Sequence, residues 1–161
     1  MPTNADLAVR IVTAFGLGFV VGFERSVRGS AAGDRTFAMV CAAAAAVTAV
    51  VARSSPQAVA GVITGVGFIG AGVVFHGEGG LITGITTAAA VFSIAGIGIV
   101  VGYGHLLGGV LATGLMLVVL ELRNIPGLRR LDARRYQSRF REDASAPAEL
   151  RRRRARSGPP A

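Results

Sequence analysis

Apolar residues run in five blocks, at about residues 5–23, 36–52, 57–75, 81–101 and 106–120, with short polar or glycine-rich breaks between them. Each block is close to the roughly 20 residues that an α-helix needs to cross the hydrocarbon core of a bilayer. The breaks are short enough to make successive helices antiparallel neighbours. They read Arg53-Ser54-Ser55-Pro56, His76-Gly77-Glu78-Gly79-Gly80 and Gly102-Tyr103-Gly104-His105, and the first holds Glu24, Arg25, Arg28, Asp34 and Arg35. The pattern predicts an all-α fold, a polytopic membrane bundle of about five transmembrane helices.

Within that pattern, residues 60–90 stand out as the stretch around which the rest would be organised. Gly65-Val66-Gly67-Phe68-Ile69-Gly70-Ala71-Gly72 puts small residues over most of a helix surface. In water such a helix would be poor, because each Gly costs about 1 kcal/mol relative to Ala. In a bilayer the backbone has no water to turn to and stays helical, and missing side chains let neighbouring helices approach closely. Gly65, Gly67, Gly70 and Gly72 are therefore expected to be packing positions, together with Gly84, Thr86 and Thr87 in the next segment and Gly22 in the first. Gly18 and Gly22 form a small-xxx-small pair. The Ala run of the second block also suits close packing.

Charge sets the orientation. The chain has 161 residues, 52% apolar and 16% charged, with a formal charge of +8. All 17 basic residues are Arg, and 12 of them lie from Arg123 onward. With the N-terminus outside and the C-terminus inside, Arg25, Arg28, Arg35 and the tail arginines fall on the cytoplasmic side, as the positive-inside rule requires. The division is a transmembrane domain at 1–122 and an Arg-rich cytoplasmic tail at 123–161, partly helical and then disordered. The run Arg151–Arg154 reads as a topology anchor near anionic lipid. No fold or aromatic platform accompanies it, so nucleic acid is not an expected partner.

Candidate chemistry is sparse. Gly65-Val66-Gly67-Phe68-Ile69-Gly70 matches a dinucleotide-binding pattern, but it lies inside an apolar span with no strand before it and no acidic residue about 20 positions later. A single cysteine, Cys41, excludes an internal disulfide and a Cys-based metal site. His76 and His105 fall on opposite membrane faces. No nucleophile, cofactor or metal set emerges, and the chain reads as a non-enzyme. Arg10, inside the first block, is open to two readings: it reaches to the headgroups, or it faces inward and pairs within the bundle. Glu24, Arg25, Arg35 and Thr36, joined by Glu78 on the same side, are the candidate polar cluster, with Glu24 expected to pair with Arg35. Simple anchoring charges at span ends are the alternative.

Four motifs in order carry a family resemblance over about residues 7–120: Gly22-Phe23-Glu24-Arg25, Ala32-Gly33-Asp34-Arg35-Thr36, Gly65 to Gly72, and Gly84-Ile85-Thr86-Thr87-Ala88-Ala89. Together they resemble the MgtC/SapB family of bacterial inner-membrane proteins, in its short form without a folded C-terminal cytoplasmic domain. Gln57, Gly61 and Phe92 stand where the family usually has Arg, Gln and Trp. The resemblance implies five spans, a cytoplasmic C-terminus, and a link to growth at low magnesium, with survival inside macrophages for some members. It carries the family's Glu-Arg onto Glu24 and Arg25, and its Ala-Gly-x-Arg-Thr onto Gly33, Arg35 and Thr36. The expected function is adaptation to limiting magnesium through a membrane-protein partner or membrane energetics. The alternative is a small oligomeric ion transporter or channel. The bilayer, a partner membrane protein and a second copy of the chain are the expected partners.

Overall fold

The computed structural model describes residues 2–51, 54–74 and 83–121. They form five helices: α1 (Asn4–Val27), α2 (Asp34–Val51), α3 (Pro56–Val74), α4 (Ile85–Gly102) and α5 (Leu106–Glu121). Those described residues include no strand. Helices α1 to α4 are long and apolar enough to cross a membrane; α5, with 16 residues, is apolar but shorter. At 1.5 Å per residue α5 spans about 24 Å. The tail from residue 122, and the loop holding His76 and Glu78, lie outside the described residues. The first compact unit, Met1–Leu117, contains nearly all of the helical bundle, and the second, Val118–Ala161, includes the last residues of α5.

The five blocks map onto the five helices with two shifts. Helix α1 continues past Phe23 to Val27 and takes Glu24 and Arg25 into its last turn. Helix α4 begins only at Ile85, so Thr83 precedes it. Its N-cap is Gly84, at φ 84°, where a Cβ would stand 2.7 Å from the Val73 carbonyl oxygen. Only a residue without a side chain suits both the left-handed backbone and that approach. At the start of α1, the Thr3 hydroxyl accepts the Asp6 N–H at 3.2 Å, a side-chain N-cap.

Helix α2 lies at the centre. Phe37, Ala38, Cys41, Ala44, Ala45 and Thr48 are buried along it. Helix α1, whose buried residues include Ala14, Gly18, Val21 and Gly22, meets it through Gly18 and Gly22, and α4 meets it through Gly98 and Gly102. A Cβ on Gly18 would sit 2.9 Å from both the Ala38 Cα and the Cys41 Cβ; one on Gly22 would sit 2.8 Å from the Gly33 carbonyl oxygen. A Cβ on Gly98 would run into the Cys41 carbonyl oxygen, and one on Gly102 would sit 2.7 Å from the Ala45 carbonyl oxygen. Two glycine pairs, each spaced by four residues, thus let α1 and α4 press onto the backbone of α2.

This corrects the expectation that residues 60–90 form the packing centre. Of α3 only Val66 and Gly70 are buried. A Cβ on Gly65, Gly67 or Gly72 would meet nothing within 4 Å, and one on Gly70 would make ordinary contact with Ala88 at 3.7 Å. The four glycines fall at about 0°, 200°, 140° and 340° around a helix of 3.6 residues per turn, so no single neighbour can use them all. Thr87 is buried and Thr86 is exposed.

The end of the bundle formed by the start of α1 and the ends of α2 and α4 is fastened by Arg10. Its guanidinium grips the Asp6 carboxylate through Nε at 3.2 Å and Nη2 at 2.5 Å, and donates from Nη1 to the Gly102 carbonyl oxygen at 2.8 Å. Gly104, at φ 96°, lies against the guanidinium, with an added Cβ only 3.2 Å from Cζ. Of the two readings of Arg10, the structure takes the inward one. The cation also sits at the C-terminus of α4, where the helix dipole favours positive charge.

Two predictions follow from this packing, both measured as thermal unfolding of the purified protein. Gly98→Val, which forces side-chain atoms into the α2 backbone, should destabilise by about 1–3 kcal/mol or prevent folding, whereas Gly65→Ala should be neutral or stabilising by up to about 1 kcal/mol. Arg10→Gln should cost about 2 kcal/mol by breaking charge-assisted bonds. Arg10→Lys should recover only part of that, because an ammonium cannot reproduce the guanidinium fork.

Candidate functional site

The opposite end of the bundle carries the charged corner between α1 and α2. Val27 ends α1, and Gly29, at φ 67°, turns the chain. Ser26 of α1 reaches across the connection: its Oγ accepts the Asp34 N–H at 3.1 Å and so caps the first turn of α2. The Asp34 carboxylate then accepts the Arg35 N–H at 2.9 Å. An acidic residue in this first turn also suits the positive end of the helix dipole. Gly22 lies against Gly33 and Asp34, so the corner is closed from below by the same glycine that seats α1 on α2.

Glu24 and Arg25 form the strongest interaction of the corner. Arg25 donates from Nε to Glu24 Oε2 at 2.5 Å and from Nη2 to Oε1 at 2.6 Å. The two side chains are only 12% and 10% exposed. Consecutive residues of a helix point about 100° apart and do not ordinarily face each other. Here Arg25 extends the buried face of Ala14, Gly18, Val21 and Gly22, and Glu24 turns to meet it. Arg28, one turn on, places Nε 3.5 Å from Glu24 Oε1. With two arginines on one carboxylate, the ionised form of Glu24 is compensated where water is scarce. A bidentate guanidinium–carboxylate pair is the geometry that offsets such desolvation.

The expected Glu24–Arg35 pair is not formed: Glu24 is turned to Arg25 and Arg28 within its own helix, and Arg35 is exposed at the surface of the first turn of α2. Thr36 is half-buried beside it. The structure therefore brings Glu24, Arg25, Arg35 and Thr36 to one corner, as a buried ion pair and an exposed arginine rather than a single network. Glu78, the fifth member expected there, lies outside the described residues. Among the packing residues expected from the sequence, Gly22, Gly70, Gly84 and Thr87 have close neighbours or are buried, while Gly65, Gly67, Gly72 and Thr86 face outward.

Three residues of the polar framework escape a reading of the sequence alone. Ser26 caps a helix other than its own, and Gly102 and Gly104 receive Arg10 from 92 and 94 residues away. Asp6 was the visible signal, since Asp and Arg four residues apart on a helix are neighbours. Among the described residues no group of three or more His, Cys, Asp or Glu side chains is placed to hold a metal ion.

Comparison with known proteins gives consistent matches. An uncharacterized protein of Haemophilus influenzae is 33% identical over 152 residues, covering 86% of this chain and 63% of its own length. Protein MgtC of Brucella abortus is 37% identical over 123 residues, 73% of this chain and 51% of that protein. Protein MgtC of Salmonella typhimurium is 35% identical over 113 residues, 68% of this chain and 48% of that protein. The chain thus spans about half to two thirds of the length of these relatives. No solved structure matches it. Residues 11–126, which contain the charged corner and most of the apolar helices, match the MgtC family, and the chain belongs to that family.

Proposed function

We propose that this chain is a non-enzymatic protein of the bacterial inner membrane that supports growth at limiting magnesium by acting on a partner membrane protein. The observation that carries the reading is the buried, bidentate Glu24–Arg25 pair at the end of α1, beside the exposed Arg35. The pair neutralises itself inside the corner, and the Ser26 cap holds the α1–α2 turn in one shape. Arg35 is left as an outward charge on a rigid base, and a preordered surface loses little entropy on binding. The N-terminus is outside and the corner is cytoplasmic in this proposal, which the concentration of arginines at that side supports. The tie to magnesium rests on the family alone.

The test is complementation of a deletion strain across a magnesium series, with protein levels and cell magnesium content followed in the same cultures. Arg35→Ala, an exposed substitution, should abolish growth at low magnesium while the protein accumulates at its normal level. Glu24→Ala should also abolish growth at low magnesium, but with a destabilised bundle, because it leaves Arg25 buried without its partner, at a cost of about 3–5 kcal/mol. Full complementation by Arg35→Ala would overturn the assignment of the corner. Magnesium flux into liposomes holding the purified protein alone would replace the partner-based reading with transport.

A further inference from the structure

Three hydroxyl groups inside the helices share one habit. Thr64 donates to the Ala60 carbonyl oxygen at 3.1 Å, Ser93 to Ala89 at 2.8 Å and Thr113 to Gly109 at 2.8 Å. Each satisfies itself one turn back along its own helix. Thr48 of α2 does not. It is 1% exposed, and its Oγ1 is buried with no hydrogen-bond partner among the described residues. The Ala44 carbonyl, four residues back, is the acceptor it forgoes. A buried hydroxyl left alone costs about 1–3 kcal/mol, and buried polar groups nearly always have a partner in the protein or a bound water.

The surroundings of Thr48 point to one. Its Cβ stands 2.6 Å from the place a Cβ would take on Gly102. The carbonyl of that same Gly102 is held by Arg10 Nη1. Of the five N–H groups of Arg10, three are used, by Asp6 twice and by Gly102 once, which leaves one hydrogen on each of Nη1 and Nη2. Thr48, whose hydroxyl needs a partner, and Arg10, with guanidinium hydrogens to spare, thus both lie against Gly102 at one end of the α1–α2–α4 seam.

We propose that this end of the seam holds one internal water molecule, bound by the Thr48 hydroxyl and retained by the polar atoms gathered at Gly102 and Arg10. Such a water makes two to four hydrogen bonds and becomes part of the structure. It fastens α2 to the Arg10 clamp, which otherwise joins only α1 and α4.

The test is water-edited solid-state NMR on the full-length protein in deuterated lipid bilayers. Thr48 should receive magnetisation from water at the earliest mixing times, ahead of its buried neighbours Cys41 and Ala45. Thr48→Val, of the same shape but without the hydroxyl, should lose the early signal at position 48, and Thr48→Ser should keep it. Early transfer should also be lost in Arg10→Gln if the clamp retains the water. Two results would overturn the proposal. One is Thr48 as dry as Cys41, with its hydroxyl bonded to the Ala44 carbonyl. The other is Thr48→Val that unfolds at a temperature equal to or above that of the unsubstituted protein, since removing an unbound hydroxyl from a dry seam relieves a cost.

Discussion

Everything in this bundle depends on how closely α1 and α4 can approach the backbone of α2. In water, burial of apolar surface would drive that approach. Between helices already surrounded by lipid tails that drive is absent, and contact between close-packed atoms has to supply it. Contact of that quality is available only where side chains do not keep the backbones apart. Gly18 and Gly22 remove them from α1, Gly98 and Gly102 remove them from α4, and the Ala-rich face of α2 removes most of them from the receiving side. The central helix is therefore one whose buried face is built largely from Ala. On α1 the aromatic residues go outward: Phe15, Phe19 and Phe23 are stacked with successive ring centroids 6.5 Å apart.

Close packing of small residues gives contact along a seam but little to fix its register, since one Ala resembles the next. The polar groups at the two ends supply that. At one end Arg10 takes a carbonyl from the last turn of α4 and so fixes α1 against α4 lengthwise. At the other end Ser26 takes the first N–H of α2 and fixes the turn between α1 and α2. Each contact is a directional hydrogen bond, and each joins elements that the apolar faces alone would allow to slide. The two ends differ in accessibility. Asp6, in the Arg10 clamp, is 43% exposed, while Glu24 and Arg25 are almost enclosed. The enclosed pair is the more sensitive to loss of one member, because what remains is a charge without water.

The positions of the spans were legible in the hydrophobic pattern, and the Glu24–Arg25 and Gly22 motifs do lie together at one corner of the bundle. The packing centre was not legible, and the reason is geometric. Glycine density drew attention to residues 65–72, but glycines separated by two or three residues spread around a helix. Gly98 and Gly102 sit in an unremarkable apolar run, yet a spacing of four puts them about 40° apart on one face. Spacing, more than number, determines what a glycine can do for a neighbour. The partner of Glu24 was illegible for a different reason. Pairing with Arg35 required the loop to fold one way, and the Ser26 cap folds it another. Arg10 fell between these cases. Its Asp6 partner is four residues away and readable, whereas its Gly102 partner depends on tertiary structure.

The packing and the candidate site are coupled through one residue. Gly22 lies four residues after Gly18 and completes the seam against α2, and it is also the residue on which Gly33 and Asp34 rest. Asp34 is the residue that Ser26 caps, and Arg35 follows it. The position of the exposed arginine is thus set by a contact between backbones, through a cap, with no flexible side chain in the chain of cause. Glu24 and Arg25 lie two and three residues beyond Gly22 on the same helix, so their pair is placed by the same contact. A surface built this way keeps its charges at fixed separation while the lipid around it moves. A larger residue at position 22 would disturb the seam and the corner together.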